Sequence, residues 1–136
     1  MTSISERLAV ARRAVDAAAT KPGRPATDVR IVAVSKRHSS DAIRAAVAAG
    51  VDVVGENYVQ EMLAKQEEQG ETPRDLRWHY IGPLQRNKVR HVVGRTALLH
   101  AVDSERLLVE IDKRSRAAGQ VTSVLLQVNL SGETTK

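Results

Sequence analysis

The stretch Val29-Arg30-Ile31-Val32-Ala33-Val34-Ser35-Lys36 decides the fold. Val29 and the run from Ile31 to Val34 are β-branched except for Ala33, and Pro22, Gly23 and Pro25 bound the stretch upstream. So short and continuous an apolar run reads as a strand of the parallel-sheet type, buried on both faces. It ends in a lysine where the chain leaves the sheet. In open α/β sheets and α/β barrels, ligands sit at the carboxyl ends of the strands, which makes Lys36 the first candidate for chemistry.

The rest of the chain repeats that pattern. Ser3-Ile4-Ser5-Glu6 fits a capping box and opens a helix whose apolar face is Ile4, Leu8, Ala11 and Val15, ending before Lys21-Pro22-Gly23. After the Lys36 strand, Ser39, Ser40 and Asp41 offer caps for a helix over 42–49, with Gly50 as its stop. A strand at 51–54 leads into Gly55-Glu56-Asn57, and a helix at 58–69 closes on Gly70. Beyond a polar linker at 71–75, a strand at 76–81 ends in Gly82-Pro83, and 84–93 reads as a helix stopped by Gly94. A strand at 97–102 precedes a helix capped by Asp103 and running to Ala118, and 121–130 reads as a fifth strand.

One leading helix and about five strand–helix alternations imply an α/β fold with a parallel sheet, because right-handed crossovers return each strand beside the last. Periodicity leaves two closures open, a doubly wound sheet or part of a (β/α) barrel. Residues 1–136 form one domain. The turn-like Ser131-Gly132-Glu133-Thr134-Thr135-Lys136 follows an apolar strand with no helix to cover it. Uncovered apolar surface costs roughly 25 cal/mol per Å². The expectation is therefore an incomplete barrel domain, truncated after its fifth strand.

Composition narrows the function. The 136 residues are 42% hydrophobic and 27% charged, with no apolar run approaching the roughly 18 residues of a membrane span. The chain has no cysteine, so disulfide and thiolate-metal chemistry are excluded and a cytoplasmic setting is expected. The net charge of +5 is spread out, with one concentration at Arg86, Lys88, Arg90, His91 and Arg95. No aromatic residues interleave with it, so a solvated basic helix face is the reading and nucleic acid is not expected as a partner. Neither G-x-G-x-x-G nor a P-loop nor G-x-S-x-G occurs, and His38, His79, His91 and His100 lack ligand spacing.

What remains is a lysine nucleophile. A lysine amine attacks a carbonyl only when neutral, and desolvation or a neighbouring cation brings it to that state. The bland reading of Lys36, a surface lysine snorkelling off a strand end, is favoured by position alone. Glu56, Asn57, His79, His100, Gln127 and Asn129 fall at the same sheet edge. Each has its own bland reading: Asn57 as a cap or turn former, His79 as a bonded core histidine, Asn129 as a backbone partner.

The segments Ala33-Val34-Ser35-Lys36, Gly55-Glu56-Asn57-Tyr58-Val59-Gln60-Glu61, Trp78-His79-Tyr80-Ile81-Gly82-Pro83-Leu84-Gln85-Arg86-Asn87-Lys88 and Gln127-Val128-Asn129-Leu130-Ser131 change that balance. In order and spacing they resemble the pyridoxal-phosphate homeostasis proteins, single-domain relatives of the N-terminal barrel of bacterial alanine racemase. The resemblance implies the N-terminal part of a (β/α) TIM-type barrel, the fold-type III pyridoxal-phosphate barrel. It implies pyridoxal 5'-phosphate as cofactor, held as a Schiff base on Lys36, with Asn57 and His79 around its ring. It implies a role in intracellular cofactor homeostasis without catalytic turnover, with apo pyridoxal-phosphate enzymes as recipients. The alternative is a racemase-like enzyme using the same linkage; a Schiff-base aldolase fits the motifs poorly. The family's phosphate-holding segments, a late serine-containing turn and an arginine-glycine pair, are not in this sequence.

Overall fold

A computed structural model describes residues 2–70, 75–132 and 134. The polar linker expected at 71–75 falls outside the described residues except for Asp75, as do Glu133, Thr135 and Lys136 of the final turn. Five strands form one sheet in the order β1-β2-β3-β4-β5, every neighbouring pair parallel. They are β1 (Ala33–Val34), β2 (Val53–Glu56), β3 (Arg77–Tyr80), β4 (Leu98–Val102) and β5 (Val124–Leu126). The helices are α1 (Ile4–Thr20), α2 (Ser40–Ala48), α3 (Val59–Gln69), α4 (Val89–Val92) and α5 (Glu105–Ala117).

That order settles the closure left open by periodicity. A doubly wound sheet reverses its strand order and carries helices on both faces. Here each crossover steps to the next strand in the same direction, and right-handed crossovers then deliver every helix to one face. Packing agrees, since strand residues Val54, Trp78, Tyr80, Leu99 and Val102 share one core with Ile43, Met62, Val89, Val92, Leu107 and Ile111 from the four helices that follow β1 to β4. The architecture is a leading helix followed by successive parallel βα units, the arrangement of a partial (β/α) barrel.

Local chemistry explains most element ends. Ser3 and Glu6 form the expected capping box, with Ser3 N–H donating to Glu6 Oε2 at 2.7 Å and Glu6 N–H to Ser3 Oγ at 3.2 Å. Ser39 caps α2, and Gly50 follows the helix at φ 98°, a conformation that glycine adopts without steric cost. The cap of α5 is Ser104, whose hydroxyl accepts from Leu107 N–H at 3.2 Å, and not Asp103 as the sequence suggested. Both residue types cap well, and the register of the first turn selects between them.

Three strand and helix expectations are corrected. The ladder of β1 is only two residues long, although Val29 is extended (φ −106°, ψ 118°), because β1 pairs with β2 alone. Val34 is 50% exposed, so this strand is not buried on both faces. The fifth strand is likewise three residues, and Val121, Val128 and Leu130 are exposed. Segment 84–93 is not a continuous helix: Gln85 is extended, a 3₁₀ turn occupies Arg86–Lys88, α4 is one turn, and Val93 is extended again. Tyr80 Oη, 2.8 Å from the Pro83 carbonyl, holds the start of that segment to the end of β3.

Ile43 is 1% exposed at the centre of the core. Ile43→Ala is expected to cost about 2–5 kcal/mol through lost transfer energy and the cavity left behind, read as a lowered midpoint in denaturant unfolding.

Candidate functional site at the carboxyl ends of the first three strands

Alternation along the strands divides their residues between two faces. On the face without helices, Val34, Gly55 and His79 form one row across β1, β2 and β3. Lys36 and Asn57 each follow this row by two residues, where the chain bends away after β1 and β2. The fold thus brings Lys36, Asn57 and His79 to one end of the sheet. Gly55 keeps this floor low, since a Cβ there would stand 2.9 Å from Val32 Cγ1 and 3.0 Å from Ile81 Cδ1.

Lys36 is exposed in the turn that follows β1. His38 N–H donates to Ser35 O at 3.0 Å, closing a four-residue turn with Lys36 and Arg37 at its centre. Arg37 has φ 63° and is the one non-glycine residue with positive φ among the described residues. Positive φ at the third position alone defines a type II turn, normally a glycine position. An L-residue there costs about 1–2 kcal/mol, so neighbouring contacts must hold it.

Asn57 does not cap α3. The N-cap is Tyr58, which makes no side-chain capping bond, and Asn57 Oδ1 is buried with no hydrogen-bond partner among the described residues. The Asn57 backbone is tied down instead, with Tyr80 Oη 2.9 Å from its carbonyl. Gly82 packs against the same peptide so closely that a Cβ would sit 2.2 Å from Asn57 O. Any side chain at Gly82 would therefore push the ends of β2 and β3 apart.

His79 is buried on β3, and its Nδ1 lies 2.9 Å from His100 Nε2 on β4. One nitrogen must donate and the other accept, so this contact tolerates one positive charge across the pair but not two. Desolvation holds the His79 pKa below its ordinary value, with His100, Arg30 and Arg77 adding repulsion. Desolvation likewise lowers His100.

Glu56 departs from expectation. It does not face the Lys36 side of the sheet but turns to the helix side, fully buried. Its Oε1 accepts from Lys65 Nζ at 2.6 Å and from Ser35 Oγ at 2.5 Å, while Oε2 is buried with no hydrogen-bond partner among the described residues. Lys65, on α3, donates further to Ser35 O at 2.7 Å and Glu61 Oε1 at 2.7 Å. Three acceptors match the three N–H donors of an ammonium group. The Glu61 carboxyl is held below the usual range, chiefly by its bond to Lys65 and also by the Arg37 N–H. Sequence reading missed Lys65 and gave Glu61, the last residue of the Gly55–Glu61 motif, no role; the signal for the pair was opposite charge four residues apart on a helix.

Gln127 and Asn129 lie beyond β5, exposed. Asn129 Oδ1 accepts from Gly132 N–H at 3.1 Å, the role of a partner to neighbouring backbone that its bland reading gave it. Among the described residues no cluster of three His, Asp or Glu could hold a metal ion, and no helix is long and apolar enough to cross a membrane.

Two measurements test these features. Lys65→Met strands a buried carboxylate without its counter-ion and is expected to cost about 3–5 kcal/mol in denaturant unfolding. For the histidine pair, unfolded imidazoles take up protons below about pH 6.5 while the folded ones resist. Their contribution is therefore complete above that pH and is lost as the pH falls below it toward the depressed folded values. The His79→Gln, His100→Gln double variant is expected to flatten the stability profile below about pH 6.5.

No protein-family model matches the chain. Among characterised sequences, it is 39% identical over 136 residues to the pyridoxal phosphate homeostasis protein of Pseudomonas aeruginosa, covering 100% of this chain and 58% of that protein. The structure of PipY from Synechococcus elongatus with PLP bound superposes with a TM-score of 0.81 at 40% identity, covering 96% of this chain and 57% of that one. Alanine racemase from Streptomyces coelicolor superposes with a TM-score of 0.67 at 26% identity, over 90% of this chain and 31% of the racemase. Along its whole length the chain is a relative of the pyridoxal phosphate homeostasis proteins, and it spans a little over half of theirs.

Proposed function

We propose that the protein carrying this chain binds pyridoxal 5'-phosphate on Lys36 and serves to hold and release that cofactor rather than to turn over a substrate. One observation carries the reading. An exposed lysine stands at the carboxyl end of β1, and the buried acceptor Asn57 Oδ1, at the matching position beyond β2, has no hydrogen-bond partner among the described residues. Such a pair suits a ligand that offers both a carbonyl and a hydrogen-bond donor. When bound, the cofactor supplies an aldehyde that condenses with a neutral lysine amine and loses water, a covalent but reversible attachment.

The chain's own residues have separate parts in this reading. Lys36 supplies the amine. Asn57 orients the ring by accepting a hydrogen bond at Oδ1. His79, buried one row deeper and braced by His100, forms the polar floor on which the ring rests. Its lowered pKa favours the neutral state, which avoids placing a second cation beneath the amine. The names of the relatives support a homeostatic role, and the recipients proposed with it are the apo forms of pyridoxal-phosphate enzymes.

Incubation with pyridoxal 5'-phosphate, borohydride reduction and peptide mapping is expected to place the adduct on Lys36, and Lys36→Ala to remove it. Asn57→Ala is expected to weaken binding about two- to tenfold, the worth of one hydrogen bond. An adduct confined to other lysines would refute the assignment. Sustained amino-acid racemisation by the same protein would favour the enzymatic alternative instead.

A further inference from the structure

We infer that Glu61 and Lys65, on the helix-covered side of the sheet, are positioning residues that clamp the peptide on both sides of Lys36 and so set where its amine stands. The inference rests on Lys36 being the attachment point.

Two contacts from one helix make the clamp. Lys65 Nζ donates to the carbonyl of Ser35, immediately before Lys36, at 2.7 Å. Glu61 Oε1 accepts from the N–H of Arg37, immediately after Lys36, at 2.5 Å. The two side chains are bonded to each other at 2.7 Å, and four-residue spacing puts them on one face of α3. Glu56 anchors the pair to the end of β2 at 2.6 Å, and Ser35 Oγ joins the same carboxylate oxygen.

The geometry of the turn explains why a clamp is needed. Ser35 N–H still pairs with Gly55 O at 3.0 Å, so the sheet holds the chain up to that point. One residue later the chain has left the ladder, and Arg37 takes a positive φ that non-glycine residues disfavour. The Ser35 carbonyl then receives two donors, His38 N–H and Lys65 Nζ, while the Arg37 amide is directed at a carboxylate. A turn held at both peptides allows the Lys36 side chain to vary only through its own rotamers. Bonds to a charged acceptor are among the stronger ones available for this purpose.

Exchange of the Arg37 amide hydrogen reads the clamp without any cofactor. Glu61→Ala is expected to raise its exchange rate about tenfold or more, as loss of a bond to a charged group predicts. The borohydride-fixed adduct on Lys36 should fall by about the same factor. Glu61→Gln keeps an acceptor for Arg37 and should restore most of both. Because Glu61 is partly exposed, these variants are expected to fold even if Lys65→Met does not, with circular dichroism as the check. Unchanged Arg37 exchange in folded Glu61→Ala overturns the clamp. Faster exchange with a full-strength Lys36 adduct overturns its positioning role. No Lys36 adduct in the unmutated protein overturns the attachment site itself, a failure distinct from the other two.

Discussion

Five parallel strands lie side by side in chain order, an arrangement in which right-handed crossovers carry the connecting helices to one side. With that constraint in force, helices cannot be shared between two faces. One side of the sheet receives every apolar helix stripe and becomes the core, where Ile43, Met62, Val89, Leu107 and Ile111 meet Val54, Trp78, Tyr80 and Leu99. The other side carries strand residues, among them Val34, Gly55 and His79. The residues proposed to handle the cofactor belong to this second side. Their proximity follows from the pairing of β1 with β2 and of β2 with β3, not from any local motif.

The helix-covered side still reaches the site through polar groups. Glu56 is fully buried, and burying a carboxylate is costly unless it is paired and hydrogen-bonded. Lys65 meets that need with all three of its donors engaged, one of them at the Ser35 carbonyl. A buried ion pair of this kind contributes little net stability compared with a hydrophobic replacement, since desolvation offsets much of the attraction. Its physical value here lies in direction. Apolar contacts would hold α3 against the sheet but could not fix the two peptides that flank Lys36.

Some positions could be read in advance because the deciding physics is local. The Ser3–Glu6 capping box, the Ser39 cap and the stop at Gly50 depend on residues within one turn of each other. The parallel α/β class followed from the alternation of short apolar runs with amphipathic segments, and the motifs around Lys36, Asn57 and His79 carried the family resemblance. Other positions could not be read this way. Burial of Val34 depends on what lies across the sheet, and the broken helix at 84–93 depends on a Tyr80 hydroxyl held at the Pro83 carbonyl. Glu56 sits beside Asn57 in the same motif, yet the pleat sends it to the opposite face.

From its sequence alone, this protein was determined to be a parallel α/β chain with a lysine at the end of its first strand and a likeness to a cofactor-binding family. Periodicity and capping encode that much, because both arise from contacts a few residues apart. The tertiary structure alone decided the order of the strands, the single helix-covered face, the pairing of His79 with His100, and the bracing of Lys36 by Glu61 and Lys65. Those outcomes depend on which distant segments pair in the ladder and which buried charges must find partners. Both are set only when the whole sheet assembles.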